Sequence, residues 1–176
     1  MLLKNEKLLL RALEPTDLEI LYEWENDPKN WETGNTLAPY SKYVLHQYIE
    51  NSQVEIQESR QLRLMIQPIT DDFSLPVGTI DLFNIDFHNS RAGIGILING
   101  DENRQKGYAA NAIKLLEDYS QNHLLLNQLH CEISEENIPS LNLFKKMGYQ
   151  VCGKLLQWRK TSKGWKNVIV LQHVFS

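Results

Sequence analysis

Residues 96–110 combine side chains and spacing that favour binding of a phosphate group. The stretch is ILINGDENRQKGYAA, in which apolar strand residues, a polar turn and small helix-opening residues follow one another. The unpaired amides of a helix N-terminus and the positive end of its dipole form an anion site. Arg104 and Lys106 add charge, and Gly107 and Ala109 let an anion approach the backbone. The stretch predicts a phosphate or diphosphate site; the alternative is an ordinary helix start with an exposed basic turn.

The elements that must position this stretch follow from hydrophobic periodicity and turn residues, which predict the order β, α, α, β, β, β, α, β, α, β, β. A central β-α-β-α-β run beside hairpin strands implies an α+β (mixed α/β) fold whose sheet is covered by helices. At 176 residues, one domain spanning 1–176 is expected. The predicted strands cover 8–13, 61–66, 77–82, 91–98, 128–133, 149–158 and 168–174. The predicted helices begin at a Thr16–Glu19 capping box, at Ser41, at about Arg104 and at Asn137, and residues 28–40 are predicted as a surface loop.

Four segments of the chain, in the same order, resemble the GNAT superfamily of acyl-CoA-dependent N-acetyltransferases. Arg104-x-x-Gly107-x-Ala109 resembles its Arg/Gln-x-x-Gly-x-Gly/Ala signature, and residues 136–149 (ENIPSLNLFKKMGY) are similar to its Glu-Asn-x-x-Ser/Ala-x-x-Leu-Tyr-x-Lys-Leu-Gly-Phe segment. Residues 91–98 resemble its Ala-Glu-Ile-Gly strand. Residues 8–17 resemble the opening of its ribosomal-protein-alanine and spermidine N-acetyltransferase branches. The resemblance implies a mostly antiparallel twisted sheet of about seven strands with four flanking helices.

The same resemblance implies acetyl-CoA as the cosubstrate and no metal. One strand would present its backbone to the pantetheine arm, the turn and helix start would hold the pyrophosphate, and the later helix would contact the arm and the adenosine phosphate. The residues implied for these roles are Ile96, Leu97, Ile98, Arg104, Gln105, Lys106, Gly107, Tyr108, Ala109, Asn137, Ser140, Phe144 and Lys146. For Lys146 and its neighbour Lys145, a solvated helix face is the alternative role.

The chain departs from the family at two positions that bear on catalysis. Phe144 stands where many members have a Tyr that protonates the leaving thiolate, and Gly93 stands where members of the nearest branches have a Glu that can act as a base. The general acid and base are therefore unassigned. Asp81, His88 and Glu132 are the substitute candidates. The alternative for His88 is an exposed loop position, and the alternative for Glu132 is a side chain that points at solvent or pairs with a lysine.

The part of the chain that shapes the acceptor pocket in this superfamily is acidic and aromatic here. Carboxylates attract an ammonium group, and aromatic faces hold cations and sugars. The substrate-binding candidates are Glu25, Trp31, Glu32 and Asn84, whereas Trp24 is expected in the core. Residues 1–103 carry 8 basic and 17 acidic side chains, and residues 104–176 carry 10 and 5. We expect an acetyl-CoA-dependent transfer to a primary amine, such as a polyamine or a protein N-terminus. The alternatives are a catalytically impaired acyl-CoA-binding module and a protein that binds a phosphate ligand other than CoA.

Composition excludes several other classes of protein. The chain is 42% hydrophobic and 23% charged, which argues against disorder, and its net charge of −4 argues against a general nucleic-acid binder. No apolar run approaches the roughly 20 residues of a membrane helix. Cys131 and Cys152 are expected as buried, reduced thiols of a cytoplasmic protein. Self-association, for example through residues 168–174, stays open.

Overall fold

A computed structural model gives the architecture of residues 3–34, 36–52, 54–70, 74–161 and 163–175, without the side chains of residues 32–34. Its strands are β1 (Leu8–Arg11), β2 (Leu62–Pro68), β3 (Gly78–Asp86), β4 (Arg91–Ile98), β5 (Gln128–Ser134), β6 (Gln150–Thr161) and β7 (Gly164–Val174). Its helices are α1 (Leu18–Glu25), α2 (Pro28–Gly34), α3 (Lys42–Asn51), α4 (Ile56–Ser59), α5 (Tyr108–Asn122) and α6 (Ile138–Lys146). Short 3₁₀ turns cover Pro15–Asp17 and Asp101–Asn103.

The seven strands form one sheet in the order β1-β2-β3-β4-β5-β7-β6. Every neighbouring pair is antiparallel except β4 and β5, which are parallel. This topology confirms the predicted mixed, mostly antiparallel sheet. The β4–β5 pairing is short, because it joins only Arg91–Gly93 to Gln128–His130. Beyond that point the two strands separate, and the sheet opens.

Two hydrophobic clusters hold the layers together. The larger one packs α5 and α6 against the sheet and includes Ile113, Leu116, Leu129 and Phe144, each at most 2% exposed. The smaller cluster packs α1 and α3 on β2 through five buried side chains, which are Leu13, Leu21, Trp24, Ile49 and Met65. The open part of the sheet is therefore held between two packed layers, and its shape is fixed from both sides.

Six α-helices are present in the described ranges where four were expected. The additional ones are α4 and α2, and α2 lies within residues 28–40, so the prediction of a surface loop there was wrong. Asp27 explains the start of α2. Its carboxylate accepts a hydrogen bond from the Lys29 amide at 2.9 Å, and its carbonyl accepts one from the Asn30 amide. Pro28 follows in the first helical position, which proline favours.

Two predicted helix starts also differ from the structure. The expected Thr16–Glu19 capping box does not form. Instead, the Asp17 side chain accepts a hydrogen bond from the Glu14 amide at 2.8 Å, and Glu19 forms an ion pair with Lys42. The helix expected from about Arg104 begins at Tyr108, because the backbone turns at Gln105 and Gly107, whose φ angles are 59° and 82°. The predicted Ser41 cap is confirmed, because the Ser41 side chain accepts a hydrogen bond from the Val44 amide.

The end of α6 also agrees with the sequence. Gly148 takes a φ of 93°, the Gly148 amide bonds to the Lys145 carbonyl, and the Tyr149 amide bonds to the Phe144 carbonyl. This is the Schellman arrangement expected of a glycine directly after a helix. Over the described ranges, no helix is both long and apolar enough to cross a bilayer.

Candidate active site

A cavity of about 570 Å³ occupies the opening between β4 and β5. Backbone and side chains of β3, β4 and β5 form its walls, and α6 closes one side. Residues of α1 and α2 and the nearby Thr36 complete the other end. A channel that passes between two separated strands can hold an extended chain along an exposed strand edge.

The edge of β4 supplies the backbone for such a chain. From Ile94 to Ile98 the strand still pairs with β3 but has left β5. Ile96 and Leu97 line the cavity, as expected, while Ile98 packs on the main core just outside it. Extended backbone with a free edge offers amide and carbonyl groups in alternation, which suits an arm that itself contains amides.

The start of α5 lies beyond the end of β4 and presents amide groups. The first bond into the helix runs from the Asn111 amide to the Gly107 carbonyl, so the amides of residues 108–110 precede the helical ladder. Gly107 is exposed, and a side chain there would be strained at its φ of 82°. Arg104 pairs with Asp101 at 3.0 Å on the surface, and Lys106 and Gln105 are exposed. Tyr108 packs against the core.

The N-terminal turn of α6 brings two more predicted residues to the cavity. Asn137 caps the helix by accepting the Ser140 amide at 3.2 Å, and both residues line the cavity. Phe144 also lines it and is 2% exposed, with its ring 4.9 Å from that of Tyr149 in an edge-to-face arrangement. Lys145 and Lys146 are exposed on the outer face of α6 and do not line the cavity.

The second departure, Gly93, has a structural partner in Phe83. A Cβ atom built on Gly93 would lie 2.3 Å from a ring carbon of Phe83, which is closer than real Cβ contacts. Phe83 lines the cavity and stands opposite Gly93 in the β3–β4 register. The space that a side chain at position 93 would need is therefore taken by an aromatic ring.

The three substitute acid–base candidates lie in different environments. Asp81 and Glu132 line the cavity, and Glu132 is exposed there. His88 is exposed in the turn between β3 and β4 and does not line the cavity. Asp81 is held by Arg63, with the Nε–Oδ1 distance at 2.5 Å and the Nη2–Oδ2 distance at 3.4 Å. Burial raises the pKa of Asp81, and the Arg63 guanidinium opposes that rise.

Arg63 is a cavity residue that the sequence reasoning missed. Its Nη1 donates to Glu25 Oε1 at 2.8 Å, and its guanidinium carbon lies 5.3 Å from the centre of the Tyr48 ring. The sequence feature that could have indicated it is an arginine within an apolar strand, Leu62-Arg63-Leu64. A charged side chain in a strand beside the core requires a partner of opposite charge.

The predicted substrate-binding residues are only partly brought together. Glu25 and Asn84 line the cavity, and Asn84 sits at a β-bulge with a φ of 50°. Trp31 does not line it, because its indole N–H donates to the Glu25 carbonyl at 2.8 Å and fixes the ring against α1. Trp24 does line the cavity and also belongs to the smaller core cluster. The Glu32 side chain lies outside the described part of the structure.

Only one of the two cysteines, Cys131, is buried as predicted. Cys131 is buried beside the cavity, and burial raises its thiol pKa to about 12, so it is not a thiolate nucleophile at neutral pH. Cys152 is exposed on β6, the edge strand, and the expectation of a buried thiol there was wrong. Over the described ranges, no group of three or more His, Cys, Asp or Glu residues could hold a metal ion.

An open mixed sheet, a cavity between separated parallel strands and a glycine-led helix start agree with the architecture that the resemblance to the GNAT acyltransferases implies. Residues 7–150 match the Acetyltransferase (GNAT) domain family, and the chain therefore belongs to the GNAT superfamily of N-acetyltransferases.

Two curated relatives align over most of their length. An uncharacterized N-acetyltransferase of Bacillus licheniformis is 30% identical over 90% of this chain and 87% of its own. A spermidine N(1)-acetyltransferase of Escherichia coli K12 is 25% identical over 94% of this chain and 87% of its own. The fold is similar to the crystal structure of spermidine N-acetyltransferase from Vibrio cholerae in complex with CoA and spermine, with a TM-score of 0.85, 23% identity and coverage of 97% and 96%.

Proposed function

We propose that this protein transfers an acetyl group from acetyl-CoA directly to a primary amine of a cationic acceptor. The cavity between β4 and β5 carries the proposal, because it joins a free strand edge to a region lined by carboxylates. The acceptor class comprises small cationic amines and protein N-termini. Polyamines belong in the first panel, because curated relatives are spermidine acetyltransferases.

The residues present fit the cosubstrate. The β4 edge at Ile96–Ile98 would bond to the pantetheine amides, with Asn137, Ser140 and Phe144 along the arm. The backbone of residues 104–109 would hold the pyrophosphate, and Lys146 would lie toward the adenosine phosphate. The thioester supplies an activated acetyl group and a leaving thiolate. The protein has to present an uncharged amine to it and manage two protons.

Glu132 is the carboxylate that we assign to the acceptor amine. Of the three carboxylates that line the cavity in the described structure, Glu25 and Asp81 are paired with Arg63, and Glu132 is not. Glu132 would bind the ammonium and accept its proton. Phe144 has no hydroxyl, so the thiolate would take its proton from water.

An acyl-CoA-binding module without efficient catalysis is the second candidate function. The buried Phe144 ring favours it, since the position of the family's acid holds no proton donor. This candidate shares the binding site with the first one and differs only in turnover.

A single experiment separates the two. Acetyl-CoA should raise the thermal unfolding temperature, and a panel of polyamines, amino sugars and N-terminal peptides should include acceptors that release free CoA thiol. Stabilisation without thiol release from any acceptor would favour the binding module. If acetyl-CoA at near-millimolar concentration failed to stabilise the protein, both candidates would be wrong.

Two broader proposals accompany this function. We propose a cytoplasmic location, which suits two free cysteines. We also propose self-association through the β6–β7 hairpin, which exposes more than half of the Leu156, Trp158 and Trp165 side chains. A related spermidine N-acetyltransferase from Vibrio cholerae has a dodecameric structure.

A further inference from the structure

Arg63 places a positive charge inside the acceptor end of the cavity. Its guanidinium pairs with Glu25 at 2.8 Å and with Asp81 at 2.5 Å, and all three residues line the cavity. The three side chains are between 15% and 26% exposed, so water screens their charges only partly. The two carboxylates already receive charge-assisted hydrogen bonds from this one cation.

The surroundings keep Arg63 in place. It lies over the Tyr48 ring, and the Tyr48 hydroxyl accepts a hydrogen bond from Gln61 at 3.2 Å. Burial raises the pKa of Tyr48, so its hydroxyl stays neutral. The planar guanidinium therefore has a ring on one face and two carboxylates along its edge, an arrangement that a lysine ammonium cannot reproduce.

The charges lining the cavity nearly cancel. In the described structure they are three carboxylates (Glu25, Asp81 and Glu132) and two guanidinium groups (Arg63 and Arg159), which leaves one net negative charge. Arg159 reaches this wall from β6, where its Nη2 donates to the Glu132 carbonyl at 3.4 Å. One ammonium group balances this set of charges, and a second one would meet repulsion from Arg63 and Arg159.

We propose that Arg63 is a specificity-determining residue that takes the place of a second acceptor ammonium, so that the site selects amines with a single positive charge. An amino sugar or a peptide N-terminus has this character, and a polyamine does not. The inference rests on the proposed function, because it names the acceptor class of the same site. Arg63 acts on selectivity and takes no part in the transfer.

The test compares hexylamine with 1,6-diaminohexane, which have the same reach but differ by one charge, with spermidine as a third acceptor. For the wild-type protein at pH 8, kcat/KM for hexylamine should exceed that for the diamine by about tenfold or more. Arg63→Met should reduce this ratio at least tenfold, because Glu25 and Asp81 become free to bind a second ammonium.

Two further variants distinguish selectivity from a structural role. Glu25→Gln keeps the Arg63 charge and should preserve the preference for the monoamine. Lys42→Met removes an exposed cation that pairs with Glu19 and lies over Tyr22, outside the cavity, and should change nothing. An equal loss for all amines in Arg63→Met, with an unchanged ratio, would overturn the proposal.

A binding measurement keeps the inference separate from the proposed function. Calorimetric titration of the two amines into the protein with CoA should show the same preference in Kd, whether or not turnover occurs. If the wild-type protein bound or acetylated the diamine or spermidine as well as hexylamine, the selectivity proposal would be wrong while the proposed transferase activity stood. If no amine were acetylated but the Kd values differed as expected, the transferase proposal would fail and the selectivity inference would stand.

Discussion

At the scale of single residues, two aromatic rings lie at the positions where the chain departs from the family pattern. Phe144 is buried against Tyr149 at the cavity wall, and the Phe83 ring fills the space above Gly93. The positions where the GNAT resemblance implies an acid and a base are therefore occupied by apolar groups. Under the proposed function, Glu132 and water would carry the protons instead.

Adding a hydroxyl at position 144 tests this interpretation. Phe144→Tyr should raise kcat about tenfold or more, because a positioned general acid contributes roughly 10²–10⁴ to a rate. Single-turnover measurements of CoA release would show the change. Phe144→Leu, which adds no proton donor, is the control and should not raise kcat. An unchanged rate in Phe144→Tyr would mean that protonation of the thiolate does not limit turnover.

At the scale of elements, an ion pair fixes the start of α1 on the sheet. Asp17 is 4% exposed and accepts two hydrogen bonds from Arg11 of β1, at 2.7 and 2.8 Å, and one from the Glu14 amide. Burial works to raise the pKa of Asp17, but these hydrogen bonds outweigh it and hold the pKa below the ordinary value of 3.8. This pair therefore ties the residue before α1 to β1.

Removing the Asp17 charge should destabilise the fold and change the pH dependence of its stability. Asp17→Asn should cost about 3 kcal/mol, since it leaves Arg11 without its carboxylate partner, and lower Tm by about 6–12 °C. Because the folded pKa is lowered, this stabilisation is present above pH 3.8 and is lost as pH falls through the folded value. Thermal melts from pH 7 to pH 2 should therefore converge for the two proteins.

Asp118→Asn provides the matched control for that comparison. Asp118 pairs with Lys114 one turn away on α5, and its side chain is 48% exposed. An exposed pair of this kind contributes about 0.5 kcal/mol or less, so Tm should move by no more than a degree or two. A similar Tm for both variants at pH 7 would contradict the role given to Asp17.

At the scale of the whole molecule, charge and apolar surface are distributed unevenly. The β6–β7 hairpin carries five basic residues and no acidic one between positions 154 and 166, whereas the chain as a whole has a net charge of −4. Trp158 and Trp165 are 56% and 58% exposed on the same hairpin. We propose that this surface contacts a second copy, whose first 103 residues carry 17 acidic and 8 basic side chains.

Light scattering coupled to size exclusion tests this surface. The wild-type protein should be larger than a monomer at micromolar concentration, and Trp158→Lys combined with Trp165→Lys should shift it to the monomer. Leu75→Lys changes a 65% exposed apolar residue in the loop before β3 and should leave the size unchanged. A monomeric wild-type protein would rule the surface out as a self-association site.

Local patterns were sufficient to predict the order of strands and the main helices. Helix α6, its stop at Gly148 and the Ser41 cap follow from interactions within a few residues of each other. Helix α2 was missed because its cap, Asp27, lies in a stretch whose Gly, Pro and Asn content is typical of loops. The position of Trp31 outside the cavity was also not evident from the sequence, since its hydrogen-bond partner is a carbonyl at the end of α1.

The sequence by itself determined the superfamily and the mixed sheet, because these depend on local periodicity and on motifs with fixed spacing. Only the tertiary structure decided the character of the acceptor end. Glu25, Arg63 and Asp81 are 38 and 18 residues apart along the chain, and they meet because α1 packs on β2 while β2 pairs with β3. At this end of the cavity, Glu25 and Asp81, which a residue count treats as acidic surface, are paired with Arg63. The energy of an ion pair depends on distance and burial, which composition does not contain.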